Sequence, residues 1–346
     1  MSLTARVLLF CTLPLLVTSF AVTGASQDEA DPPGQVAVTR SGLVASLLQG
    51  LAAAESEGAW LGGDRPVADA RILLAFLSDG HSVRQGDHQE CLRRAGTRFL
   101  KRFSRELGSP FETGPENDLA HALALTTVAE FWIADNAKGA IARTRAAAAA
   151  TIKRQDENGV WGAGNDQPLV TARMVLGLCI ARSAGMDIAD ERFEDTFRTM
   201  DSWMDAETGA AKKQGGMTEE DVLARTAALV TARLVAGQDP DSDALLGKSV
   251  AWLSERLGSP EVAKRWGKAT ADPTFWEWTT HATVQLFGPG EELSSWSIAA
   301  TQGMSRDALA LIQEKVPFLP ERAARIVRAV TAVFRFAPGE FAPGND

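Results

Sequence analysis

The sequence predicts an all-α protein made of helical hairpins. Three observations carry this: apolar residues recur with helical spacing along nearly the whole chain, no segment alternates strictly apolar and polar between turn residues, and a pattern repeats about every fifty residues. The repeat appears on comparing "DARILLAFL", "AHALALTTVAEF", "TARMVLGLC", "LARTAALVTARL" and "THATVQLFG". Taking Ala70, Ala122, Ala172, Ala224 and Ala282 as equivalent points gives steps of 52, 50, 52 and 58 residues. Each of these segments is apolar on more than one side, which predicts a buried helix.

Taken in chain order, residues 1–25 have the build of a secretory signal peptide. Arg6 is followed by an apolar run from Val7 to Val22 and then by the small residues Thr23, Gly24 and Ala25. The 16 residues of that run, with Pro14 inside it, fall short of the roughly 20 that span a bilayer. The expectation is an exported protein, periplasmic or extracellular, that is not an integral membrane protein once the leader is removed. Residues 26–40 read as a polar linker containing "DPPG", residues 41–336 as one repeat domain, and residues 337–346 as a flexible C-terminal tail.

Within the domain, "SGLVASLLQGLAAAE" predicts an amphipathic first helix. Between the buried helices lie "GDHQECLRRAGTRFLKRFSREL", "AIARTRAAAAATIKRQ", "DERFEDTFRTMDSWMDAE" and "DSDALLGKSVAWLSERLG", each with one apolar stripe and a charged face. Buried and half-exposed helices therefore alternate, and stacked pairs bury what a single pair cannot. The "DPDSD" turn at 239–243 predicts a helix start capped by Asp241 or Ser242. The last helix, "ERAARIVRAVTAVFR", has an apolar stripe like the first, and a ring lets the two meet. The count is about six hairpins in two concentric layers.

Composition narrows function. The net charge of −9 becomes −10 when Arg6 leaves with the leader, and no Lys/Arg cluster stands out, so a nucleic-acid partner is not expected. Tyr is absent, which removes phenols from any set of acid–base groups. Cys91 and Cys179 alone remain outside the leader; two buried thiols and one bridge are both compatible with the sequence.

Residues 155–162, "QDENGVWG", follow a run of strong helix formers and set Gln155, Gly159 and Trp161 in a polar turn. A second copy with the same Gly-to-Trp spacing occurs at "AAAESEGAWLGG", where Glu55 takes the Gln position before Gly58 and Trp60. This Gln-x-x-x-Gly-x-Trp pattern resembles the QW motif of the terpenoid cyclase and protein prenyltransferase superfamily. The resemblance covers roughly residues 41–315 and extends to "DARILLAFLSDGHSVRQGDHQECLRRAGTRFLKR", "AHALALTTVAEFW" and "DPTFWEWTTHATVQLFG", which are similar to exported bacterial proteins with prenyltransferase and squalene-oxidase type repeats. It implies an α/α toroid in which Gln155 reaches a helix end while Trp161 packs over it and ties neighbouring hairpins together. Ala150 and Thr151 stand where the family carries an aromatic, and the repeats ending near Gly108, Gly209 and Gly258 keep fragments of the motif.

The chemistry of the related enzymes is missing. No D-x-D-D acid cluster of the squalene-hopene cyclases occurs. Cys179 has no neighbouring Asp to complete a prenyltransferase zinc set, and the histidines are scattered at 81, 88, 121 and 281. His81 and His88 flank a Gly-containing turn that reads as a polar loop, so no metal and no cofactor are expected. The C-G-E-Q thioester motif is also absent.

The weak catalytic candidates are Glu130, Glu277 and His281; Glu277 and His281 share a helix face through their i, i+4 spacing. Together with His121, Trp276 and Trp278 they mark the cavity or its rim as the expected binding surface. The expected function is a non-catalytic binding scaffold for a lipid, a glycan or an envelope protein. The alternative is an enzyme that uses the same cavity, either a terpenoid cyclase-like isomerase or lyase or a carbohydrate-active enzyme with Glu130 and Glu277 roughly 5 to 9.5 Å apart.

Overall fold

Buried helices with small, apolar surfaces dominate the computed structural model, which describes residues 40–56, 66–103, 109–112, 114–136, 139–269, 272–288, 290–313 and 319–335. The expected leader, linker and tail, together with Gly58 and Trp60, lie outside the described residues. Among those described there are thirteen α-helices and no strand; one isolated antiparallel bridge joins Met204 and Ala211. The helices are α1 (Arg40–Ser56), α2 (Pro66–Ser78), α3 (Gln89–Lys101), α4 (Asp118–Asp135), α5 (Ala140–Lys153), α6 (Gln167–Ser183) and α7 (Glu194–Ser202). They continue with α8 (Glu219–Val235), α9 (Ala244–Leu257), α10 (Pro260–Ala269), α11 (Pro273–Phe287), α12 (Glu291–Ile312) and α13 (Pro320–Arg335). None of them is long and apolar enough to cross a membrane.

The five repeat-equivalent segments lie in α2, α4, α6, α8 and α11, and their side chains are buried nearly all round. α2 packs on α4, α4 on α6, α6 on α8, α8 on α11, α11 on α13, and α13 on α2. The first and last helices meet as expected, since α1 packs on α13. The amphipathic helices flank this succession: α3 against α2, α5 against α4 and α6, α9 against α8 and α11, and α12 against α11, α13 and α1.

Threonine lets such helices be buried. Thr126, Thr127, Thr144, Thr151, Thr279, Thr283 and Thr331 each donate their hydroxyl to the carbonyl four residues back, so each hydroxyl carries its own acceptor into the core.

Helix starts follow ordinary capping. Thr218 and Asp221 form a reciprocal capping box at α8. At α9 the cap is Asp243, whose carboxylate accepts from the amides of Leu245 and Leu246. The expected cap at Asp241 or Ser242 is corrected by this: Ser242 turns its hydroxyl back to the Asp239 carbonyl, and Asp243 also holds Arg233 of α8.

The turn after α5 ties two hairpins together. The Trp161 indole is buried and donates Nε1–H to the Thr151 carbonyl in the last turn of α5, at 2.8 Å. Gln155 Nε2 lies 3.1 Å from both the Gly159 and Arg192 carbonyls and 3.2 Å from Thr196 Oγ1, which joins the turn to α7. Gly159, at φ 76°, presses on α7: a Cβ there would come within 2.8 Å of Asp195 Cβ and 2.9 Å of the Thr196 nitrogen.

Glu55 makes the matching tie between α1 and α3, accepting from Arg94 and from Arg98 at 2.6 Å. Burial raises its pKa, but the two guanidiniums outweigh this and hold the carboxylate below its usual value. Replacing Gln155 with Ala leaves carbonyls in the turn short of a donor and is expected to cost about 1–2 kcal/mol in urea denaturation; an unchanged midpoint would contradict the tie.

Candidate functional site

The site grows from the start of α11. Asp272 caps the helix by accepting from the Thr274 amide, and Pro273 fills the first turn. One turn in, Glu277 projects from the same face as His281. Both Glu277 oxygens accept from Arg173 of α6, at 2.9 and 2.8 Å, and Oε1 also lies 2.7 Å from Arg328 Nη2 of α13. α8 stands between α6 and α11 in the succession, so Arg173 and Glu277 meet on the side that these helices share. The Arg173 guanidinium lies 4.3 Å over the Trp278 ring, and His281 meets that ring edge-on.

Arg71 of α2 pairs with Glu321 of α13, and Arg325 of α13 donates to Thr274 Oγ1 at 2.8 Å. These groups are more open to solvent than the cluster beneath, where the side chains of Arg173, Arg328 and Glu277 are 8, 12 and 14% exposed.

Electrostatics fix the protonation states. Burial pushes the Glu277 pKa up, but Arg173 and Arg328 outweigh it and hold the group far below the usual carboxylate range. His281 is pushed down to about 3 by burial, with Glu277 opposing and the two arginines adding. Arg328 falls to about 10 through burial, partly offset by Glu277. A carboxylate locked in a bidentate pair and an imidazole that stays neutral to about pH 3 are poorly suited to exchange a proton near neutrality.

The remaining predicted residues do not all join this cluster. Trp276 turns the other way and packs with Phe275 and with Trp296 of α12. His121 faces α5, with Nε2 2.8 Å from Thr151 Oγ1. That hydroxyl gives its hydrogen to the Ala147 carbonyl, so His121 Nε2 is the donor, and burial lowers its pKa to about 3. Glu130 is buried on α4, three steps along the succession from α11.

Cys91 and Cys179 are both free and buried, so no bridge joins them. The His81 and His88 rings lie 4.8 Å apart beside Asp79, and among the described residues no group of three or more His, Cys, Asp or Glu side chains is arranged to hold a metal ion.

Sequence reasoning missed the arginines. The signal was available: the residue after the repeat-equivalent alanine is Arg in three repeats, at Arg71, Arg173 and Arg225.

The fold and the site define an all-α protein with an ion-paired interior. Compared with models of known protein families and with curated proteins, the sequence matches none.

Proposed function

We propose that the chain is an exported α/α toroid of the terpenoid cyclase and prenyltransferase type that works as a binding scaffold and not as an enzyme. The observation that carries the reading is the locking of Glu277 between Arg173 and Arg328: the carboxylate best placed for acid–base work is committed to two guanidiniums. The toroid is supported by the packing succession that returns from α13 to α2, and by the Gln155–Trp161 turn, whose bonds are those the resemblance implies.

Native mass spectrometry of residues 26–346 purified from the cell envelope tests this. A retained lipid-, glycan- or protein-sized mass is the expected result. A bare monomer in every preparation would contradict a binding role.

A further inference from the structure

The turn after α7 repeats the turn after α5 bond for bond. Asp156 N–H donates to the Val160 carbonyl at 2.9 Å, and Asp205 N–H to the Ala210 carbonyl at 2.7 Å. Gly159 and Gly209 donate to Asp156 and Asp205 in turn, and both press against the next flanking helix. The Trp161 amide donates to Thr171 Oγ1 of α6, and the Ala211 amide to Thr226 Oγ1 of α8. Ala211 thus stands where Trp161 stands one repeat earlier, and the second turn lacks the indole that plugs the first. A small groove opens there, lined by Trp203, Ala211, Lys212, Gln214, Arg225 and Leu229.

Arg225 is the informative member. It is the repeat equivalent of Arg71 and Arg173, which are paired with Glu321 and Glu277. Only 9% of Arg225 is exposed, yet it makes no hydrogen bond or ion pair with any described residue. A buried charge is costly unless an opposite charge meets it, and no carboxylate lines this groove. Lys212 adds a second cation, its ammonium anchored on the Ser202 carbonyl at 2.8 Å. Trp203 and Leu229 offer an apolar wall.

We propose that this groove binds a small organic carboxylate, with the anion forked by the Arg225 guanidinium and its apolar body against Trp203 and Leu229. A planar two-oxygen anion matches the guanidinium fork, and the narrow groove left by one missing indole limits the size of the body.

Isothermal titration of the purified chain with sodium benzoate, and with benzamide as its uncharged counterpart, tests the proposal. Benzoate is expected to bind and benzamide not to. Arg225→Met is expected to weaken benzoate binding roughly tenfold or more, the loss of a charge-assisted pair, while Arg225→Lys restores part of it. Ala211→Trp should close the groove. Arg225→Met removes an unpaired buried charge and should keep its helical circular dichroism. No benzoate binding by the native chain, or equal binding by Arg225→Met, overturns the proposal.

A phenylalanine-terminated tetrapeptide separates the sources of the carboxylate. Binding tighter than benzoate that is lost on amidation assigns it to a chain terminus, and weaker or equal binding assigns it to a free acid. The site rests on the reading of the chain as a binding protein; a failed titration beside a retained mass in the native spectrum would remove this site and leave that reading standing.

Discussion

Replacing Glu277 with Ala lowers the stability of the protein by about 3–5 kcal/mol, the cost of stranding buried partners of an ion pair. Arg173 and Arg328 both point at this carboxylate and are nearly enclosed, so its removal leaves two guanidiniums facing each other with little water to screen them. The free energy comes mainly from what is left behind. For that reason a triple replacement, Glu277→Leu with Arg173→Met and Arg328→Leu, is expected to recover most of the loss, because it removes the stranded charges as well. Urea denaturation of the three proteins checks both statements. A loss below about 1 kcal/mol for Glu277→Ala, the range of exposed pairs, would place the cluster in solvent.

Stability falls steeply as pH drops from 6.5 to 5, before ordinary carboxylates titrate. His121 and His281 both have folded-state pKa values of about 3 against an ordinary 6.5. Burial is the main cause in each: His121 is enclosed between α4 and α5, and His281 lies beside two arginines. A histidine whose folded pKa is depressed favours the neutral form in the native state. Its contribution is fully present above pH 6.5 and is lost as pH falls toward 3, because the unfolded chain takes up the proton first.

Each histidine then costs about 2 kcal/mol between pH 6.5 and 5, or about 4 kcal/mol for the pair. Glu277 adds to the same trend below about pH 4.5, since its folded pKa is also lowered. Urea midpoints at pH 7, 6 and 5 measure the slope, and His121→Gln should roughly halve it. A flat profile from pH 7 to 5 would contradict neutral buried histidines.

Helix placement was legible because burial and spacing speak directly to it. The segments around Ala70, Ala122, Ala172, Ala224 and Ala282 became buried helices, and the amphipathic segments between them became their flanking partners. The turn at Gln155 and Trp161 was legible because a Gly with positive φ and a following indole carry a local signature. What the sequence hid is direction. A helix that is apolar on every side has no moment to say which side faces a neighbour, so His121 could be placed on α4 without revealing that it turns to α5.

The ion cluster was hidden for a related reason. Arg173 and Glu277 lie 104 residues apart, and helical periodicity says nothing about which distant faces meet. Arginine inside an apolar run reads as an interruption until its carboxylate is known. Glu55 was legible as the counterpart of Gln155, but its charge matters to the structure: it holds two arginines where Gln155 donates to carbonyls.

The central claim, a ring closed between its first and last inner helices, is tested most directly by a cross-link. Ser78 of α2 and Thr331 of α13 are 253 residues apart in sequence, and their hydroxyl oxygens lie 2.8 Å from each other. The variant Ser78→Cys with Thr331→Cys should form an intramolecular disulfide on mild oxidation, since the native Cys91 and Cys179 are buried and do not compete. Closing so long a loop is expected to raise stability by about 2–4 kcal/mol. A pair that stays reduced, or that links only between molecules, would contradict a closed ring.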